Sequence, residues 1–193
     1  MKKIGLTGGI GSGKSYVAKK LEGMGYPIYY SDDQAKRISN ENLNIRESLI
    51  ALVGPMVYLN DKLNKEYLSA QFFSNEQLRK KVNKIIHPVV RADFNNWVKE
   101  QKASDLIFNE AAILFETEAY KNFDAIILVH APEKVRVQRL MKRDGSSPSE
   151  IQLKINAQWS DERKKALTPY HILNDGKASI EEQINAIITQ ILQ

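Results

Sequence analysis

The chain contains no cysteine, which excludes disulfides, thiolate nucleophiles and Cys-ligated zinc. Its three histidines, His87, His130 and His171, share no metal-ligand spacing, so no structural metal is expected. No apolar run reaches the roughly 18 residues that a membrane-spanning helix needs. The apolar stretch behind Lys2 and Lys3 is short and broken by glycines, so a secretory signal peptide is not expected there. Repeats and low-complexity tracts are also lacking. Basic residues outnumber acidic ones, 28 to 23, for a net charge of +5, but they are spread along the chain and mixed with acids. The basic arm or aromatic-interleaved stripe of a nucleic-acid binder is missing. These absences point to a cytoplasmic protein with neither nucleic acid nor a membrane as partner. A monomer or weak homo-oligomer is expected, although no sequence feature sets the oligomeric state. The modest positive excess suits polyphosphate ligands. At 193 residues the chain is long enough for one domain carrying a helical insertion.

What is present is a complete G-x-x-x-x-G-K-[ST] loop at residues 8–15, reading Gly8-Gly9-Ile10-Gly11-Ser12-Gly13-Lys14-Ser15. A short apolar run, Ile4-Gly5-Leu6, precedes it, and the helix-like Tyr16-Val17-Ala18-Lys19-Lys20-Leu21 follows. Strand, glycine loop and helix in that order are the context the motif needs, which sets it apart from a chance glycine-rich turn. The glycines let successive N–H groups point inward at phosphate oxygens, and the helix start adds its positive dipole end. Lys14 brings a point charge to the β- and γ-phosphates, and the Ser15 hydroxyl is placed to ligate Mg²⁺. A dinucleotide fingerprint is excluded, because it requires glycine where Lys14 stands.

Alternating apolar and helical patterns predict an α/β fold with a mainly parallel sheet. Strands are expected at residues 3–6, 26–30, 106–108, 125–129 and 171–173. Helices are expected at 14–22, from 31 to about 39, from 132 to about 143, and at 180–192. Ser31, Asp32 and Asp33 suit a helix cap. Ser149 and Gln152 have the spacing of a capping box. Residues 40–100 carry Leu78, Val82, Ile85, Ile86, Val89, Val90, Phe94 and Trp97 at helical spacing, with no strand pattern of comparable strength. Pro88 should end that helix near Ile86 or kink it there. The stretch reads as a helical insertion between strands, leaving residues 1–39 and 105–193 as the core.

Ligands of such sheets bind beyond the carboxyl ends of the strands, so strand-end polar residues are the candidates for chemistry. Asp32 and Asp33 follow the second strand; either can orient an attacking hydroxyl, or serve as a helix cap. Glu110 follows the 106–108 strand, either as an outer-sphere Mg²⁺ ligand or as a solvated carboxylate. Arg136, Arg139 and Arg143 share one helix face beside the Asp144-Gly145-Ser146-Ser147-Pro148 turn. That is the arrangement of a lid that brings charge to a transferring phosphoryl group, and also of an ordinary solvated face. A GTPase-like switch would need a guanine-reading Asn-Lys-x-Asp segment after a late strand. This chain has His130-Ala131-Pro132-Glu133 there.

Taken together, residues 8–15, Asp32, Ile86-His87-Pro88, Leu114-Phe115-Glu116, Arg139-Leu140-x-x-Arg143-Asp144, Gln158 and Ile172-x-Asn174-x-Gly176 resemble the dephospho-coenzyme A kinases, over essentially the whole chain. The resemblance implies a three-layer P-loop NTPase fold with a five-stranded parallel sheet, a helical substrate-binding region and a lid at about 136–165. It implies transfer of the ATP γ-phosphoryl to the ribose 3′-hydroxyl of dephospho-coenzyme A with Mg²⁺, the last step of coenzyme A synthesis. Asp32 matches the family's catalytic acid, with Lys14 and Arg139 as the other catalytic groups. Gly9, Gly11, Ser12, Gly13, Lys14, Ser15, Tyr16, Arg139, Arg143 and Asn174 fall at nucleotide-binding positions. Asp32, His87, Leu114, Phe115 and Glu116 fall at acceptor positions, and Ser15 at the metal position. The chain departs from the family pattern at Ala112, where proline is common, at Glu110, where aspartate is frequent, and at Tyr170, where an acid is common.

Overall fold

The computed structural model describes residues 1–73 and 75–193. They divide into two compact units, one made of Met1–Tyr29 with Ala103–Gln193, the other of Tyr30–Lys102. The chain runs through β1 (Lys2–Gly8), α1 (Lys14–Gly23), β2 (Ile28–Tyr30), α2 (Ser31–Glu41), α3 (Leu43–Val53), β3 (Tyr58–Leu59), β4 (Lys62–Leu63), α4 (Lys65–Phe73) and α5 (Glu76–Glu100). It continues through β5 (Leu106–Glu110), β6 (Ala125–His130), α6 (Glu133–Asp144), α7 (Pro148–Asn156), α8 (Asp161–Lys165), β7 (Tyr170–Leu173) and α9 (Ile180–Leu192).

The first unit is built on a five-stranded parallel sheet in the order β2-β5-β1-β6-β7. Successive side chains of a strand point to opposite faces, so a strand buried at every position is covered on both. β5 is buried throughout, and β1 from Ile4 to Gly8, which makes the sheet the middle of three layers. Register pairs Leu6 with Glu110 on one side of β1, and Gly8 with Val129 on the other. The carboxyl ends of β1, β5 and β6 are thereby brought level. β1 has β5 on one flank and β6 on the other, so the chain's winding reverses at its end, where ligands of open parallel sheets bind.

The second unit is helical, with Ile38, Ile45, Leu49, Val57, Leu68 and Val82 buried in its core. The structure corrects four local expectations. Residues 58–63 form a two-stranded hairpin where no strand was expected. Asn60 and Asp61 both take positive φ, 48° and 60°, as a two-residue hairpin turn requires, but strands of two residues are too short to show alternation. Helix α5 runs through Pro88, so the proline does not end it near Ile86. An internal proline costs a helix about 3 kcal/mol. Packing of Val82, Ile85, Ile86, Val89 and Val90 against the unit's core offsets that loss, so tertiary burial overrides the local signal. Helix α2 is not capped by Ser31, Asp32 or Asp33; Tyr30 holds the cap position and makes no side-chain capping bond to the helix, and both aspartates lie in the first turn. The capping box of α7 pairs Ser147 with Glu150 rather than Ser149 with Gln152, because Pro148, which has no N–H to be capped, occupies the first helical position.

His87 lies in α5, half-buried, and its pKa is held below the ordinary 6.5 by burial and, secondarily, by the charge of Arg91. Below pH 6.5 the unfolded chain therefore takes up a proton that the folded chain resists, so this group's contribution to stability is present above that pH and is lost as pH falls through it. A thermal-denaturation series from pH 7.5 to 5.5 is expected to show a smaller fall in midpoint for His87→Gln than for the parent protein. His130 is depressed as well, chiefly by burial, so the difference between the two series isolates His87. Parallel series would contradict the assignment.

Candidate active site

The phosphate loop leaves β1 and closes at Gly13, which caps α1 in the left-handed conformation at φ 89°. A side chain at Gly13 would be strained by that φ and would also run into the Asn174 amide. Among the described residues the backbone N–H groups of Gly11, Gly13, Lys14 and Ser15 have no acceptor. Together they make a nest of donors at a helix start, the geometry that binds phosphate. Ser12 adds a fully buried hydroxyl with no partner among the described residues.

Three side chains converge beside this nest. Glu110, at the end of β5 and 3% exposed, accepts from the Ser15 hydroxyl at 3.0 Å and pairs with the Lys14 ammonium at 2.9 Å, both through Oε1. The strand register dictates the meeting: Glu110 stands beside Leu6 on β1, and the loop returns the chain to that level at Lys14 and Ser15. A hydroxyl and a buried carboxylate are hard oxygen donors of the kind Mg²⁺ takes. Mg²⁺ characteristically takes one or two protein oxygens and completes its shell with water and phosphate oxygens. The donor set fits Mg²⁺.

A cavity of about 350 Å³ opens over the loop, with Lys14, Ser15, Arg139, Arg143 and Gln158 on its walls. A second, of about 600 Å³, shares Gly13 and Arg139 with it and extends past Tyr16, Asn174, Gly176 and Ile180. Arg139 and Asn174 are interlocked where the two meet. Arg139 donates to the Ser12 carbonyl at 3.3 Å and to the Asn174 side chain at 3.1 Å, while Asn174 donates to the same carbonyl at 2.9 Å. Arg143 forms a two-point pair with Asp144, at 2.6 and 2.9 Å, which raises its own pKa and lowers that of Asp144.

The three arginines of α6 do not act alike. Arg136 is buried, donates to the Ile10 carbonyl and pairs with Asp161 at 3.3 Å, so its charge is spent within the protein rather than presented to the cavity over the loop. Leu114 and Phe115 are buried with Ala111, Ile126 and Leu128. Glu116 pairs with the fully buried Lys164 at 2.8 Å and accepts from the Trp159 N–H at 3.2 Å. The structure thus gathers Gly9, Gly11, Gly13, Lys14, Ser15, Tyr16, Arg139, Arg143 and Asn174 around the two cavities, while Ser12 is buried beneath the loop and lines neither. Asp32 and His87 belong to the second compact unit, Asp32 two residues past the end of β2. Sequence reasoning missed the Arg136–Asp161 and Lys164–Glu116 pairs. Their partners lie far apart in the chain, and Lys164 sits in a charged run, Asp161-Glu162-Arg163-Lys164-Lys165, that reads as solvated surface.

A phosphate loop at the winding reversal of a five-stranded parallel sheet, with a lysine, a hydroxyl and a strand-end carboxylate meeting beside it, defines a P-loop nucleoside-triphosphate-binding protein. The sequence profile described as dephospho-CoA kinase matches residues 2–180, and the chain belongs to that family. It is accordingly an ATP-dependent transferase of the last step in coenzyme A synthesis. Among curated relatives, the dephospho-CoA kinase of Bacteroides fragilis is 40% identical over 99% of this chain and 93% of its own length. That of Porphyromonas gingivalis is 39% identical over 97% and 93%. A Thermus thermophilus protein of known crystal structure superposes with a TM-score of 0.89 at 31% identity, covering 100% of this chain and 98% of its own. Acinetobacter baumannii shikimate kinase, at 16% identity and a TM-score of 0.55 over 100% and 93%, shares the fold alone.

Proposed function

We propose a division of labour for the transfer in which the loop holds the donor and Asp32 serves the acceptor. ATP phosphates lie against the Gly11, Gly13, Lys14 and Ser15 amides, and its nucleoside extends into the cavity walled by Tyr16 and Asn174. Lys14 turns from Glu110 to the β- and γ-phosphates. Ser15 and Glu110 would hold Mg²⁺, which supplies charge neutralisation on those phosphates when bound. Asp32 orients the ribose 3′-hydroxyl of dephospho-coenzyme A and receives its proton as the new oxygen–phosphorus bond forms and the bond to the β-phosphate oxygen breaks, releasing ADP. Arg139 and Arg143, on a lid spanning about 136–165, neutralise the charge that develops. His87 contributes to the acceptor pocket. Leu114 and Phe115 fix the course of an acceptor wall from the core, and Glu116 ties it to Lys164.

The observation that carries this reading is the convergence of Lys14, Ser15 and Glu110 at the phosphate nest. On the same reading the protein is a cytoplasmic monomer or weak homo-oligomer without nucleic-acid or membrane partners. The test is an acceptor panel: purified protein, ATP and Mg²⁺ with dephospho-coenzyme A or with each common nucleoside monophosphate. ADP release with dephospho-coenzyme A, giving a 3′-phosphorylated product, is the expected result. Preference for another acceptor, or no turnover with this one, would overturn the reading.

A further inference from the structure

Two side chains from outside the phosphate-loop motif hold the same loop residue. The Ile10 N–H donates to Gln158 Oε1 at 2.7 Å, and the Ile10 carbonyl accepts from Arg136 Nε at 2.9 Å. Ile10 is flanked by Gly9 and by Gly11, the latter at φ +78°, so neither neighbour restricts the backbone through a side chain. A backbone bond from the Ser12 N–H to the Gly9 carbonyl at 3.0 Å closes the turn, and the two side-chain bonds hold the peptide groups at its tip.

Both holders are themselves fixed. Arg136 packs so closely on Gly9 that a Cβ there would lie 2.6 Å from its Nη2, and its Nη1 pairs with Asp161 at 3.3 Å. Gln158 is followed by Trp159, whose N–H is accepted by Glu116 and whose ring carries the Arg163 guanidinium 3.3 Å from its centroid. Lys164 closes on the same Glu116 oxygen at 2.8 Å. The 158–164 segment is a strap, tied at Glu116 and Asp161, that delivers the Gln158 side-chain carbonyl to Ile10.

We propose that Gln158 is a positioning residue for phosphoryl transfer: by accepting the Ile10 N–H while Arg136 holds the Ile10 carbonyl, it sets the orientation of the loop amides that receive ATP. The Ile10 amide is committed to the strap, and the Gly11, Gly13, Lys14 and Ser15 amides are left for phosphate. The inference rests on the donor-site reading above and assigns Gln158 no contact with the reacting atoms. Displacement of positioned groups by an ångström is enough to cost a large part of a rate.

The test compares Gln158→Met, which keeps length and removes the oxygen acceptor, with Gln158→Glu, which retains one. Hydrogen exchange of the Ile10 amide is followed in the nucleotide-free protein, and steady-state kinetics are measured alongside. Gln158→Met is expected to speed Ile10 exchange at least about tenfold and to lower kcat/KM for ATP by about tenfold or more, with KM for dephospho-coenzyme A within about twofold. Gln158→Glu is expected to keep Ile10 exchange slow. Unaltered Ile10 exchange in Gln158→Met overturns the latch whatever the kinetics show, and faster exchange with unchanged kcat/KM for ATP overturns the positioning role. Because exchange is read without nucleotide, a failure of the latch is distinguishable from a failure of the donor-site reading, which Lys14→Ala addresses.

Discussion

Replacing Lys14 by alanine is expected to lower kcat/KM for ATP by about two to three orders of magnitude, the loss typical when one preorganised donor is removed from a developing oxyanion. The ammonium is positioned by the first residue of α1, and its side chain is only 18% exposed, so neighbouring water does not replace it cheaply. The substitution has a second consequence. Glu110, 4% exposed at its side chain, would keep the Ser15 hydroxyl and lose its only charged partner among the described residues. A carboxylate left in that position destabilises the fold, so Lys14→Ala should also lower the thermal midpoint. Lys14→Ala combined with Glu110→Gln removes the stranded charge. The double variant is expected to regain stability, and its kinetics are compared with Glu110→Gln alone because Glu110 is itself assigned to Mg²⁺: a further kinetic loss on adding Lys14→Ala is the lysine's work on phosphate, apart from its role as a counter-ion. Recovery of activity in the double variant would mean that Lys14 acts only by neutralising Glu110.

Asp32→Asn is expected to reduce kcat by at least about two orders of magnitude while leaving KM for ATP nearly unchanged. The amide has the carboxylate's shape and loses its basicity and charge. Asp32 lies in the first turn of α2, where a negative charge also favours the helix dipole by about 0.3–1 kcal/mol. A small loss of the same kind is expected in Asp33→Asn, because Asp33 occupies the same turn. The pair of variants therefore separates the helical effect from the chemical one: Asp33→Asn should lose its own helix-dipole contribution and keep its turnover. Equal kinetic losses in both would remove the special role of Asp32.

The parts of the fold that were legible in the sequence are those where one strong local signal had no rival. The apolar runs at 106–108 and 125–129 became β5 and β6, and the four isoleucines Ile184, Ile187, Ile188 and Ile191 became the buried face of α9. Residues 8–15 fixed the strand, loop and helix around them. The hairpin at 58–63 escaped because its strands are held by a turn of two left-handed residues rather than by any alternation. Pro88 misled because its cost is local while the packing that offsets it comes from residues along both halves of α5 and from the rest of that unit. The site divides along the same line. The donor nest was legible because its residues are consecutive. Arg136 was read with Arg139 and Arg143 because helical spacing makes them equivalent, and only the tertiary partners Ile10 and Asp161 show that it faces the loop's underside of bonding rather than the cavity. Gln158 entered the reading through resemblance, yet its bond to Ile10 spans 148 positions, and no spacing rule reaches that far.

The central claim is that donor binding belongs to the loop and proton acceptance to Asp32. A single-turnover experiment tests it most directly: enzyme in excess over γ-labelled ATP, saturating dephospho-coenzyme A and Mg²⁺, with label followed into the product. The account predicts rapid appearance of label in 3′-phosphorylated product with the parent protein, and a rate slower by at least about a hundredfold in Asp32→Asn at equal ATP occupancy. Label transfer at the parent rate in Asp32→Asn would contradict it.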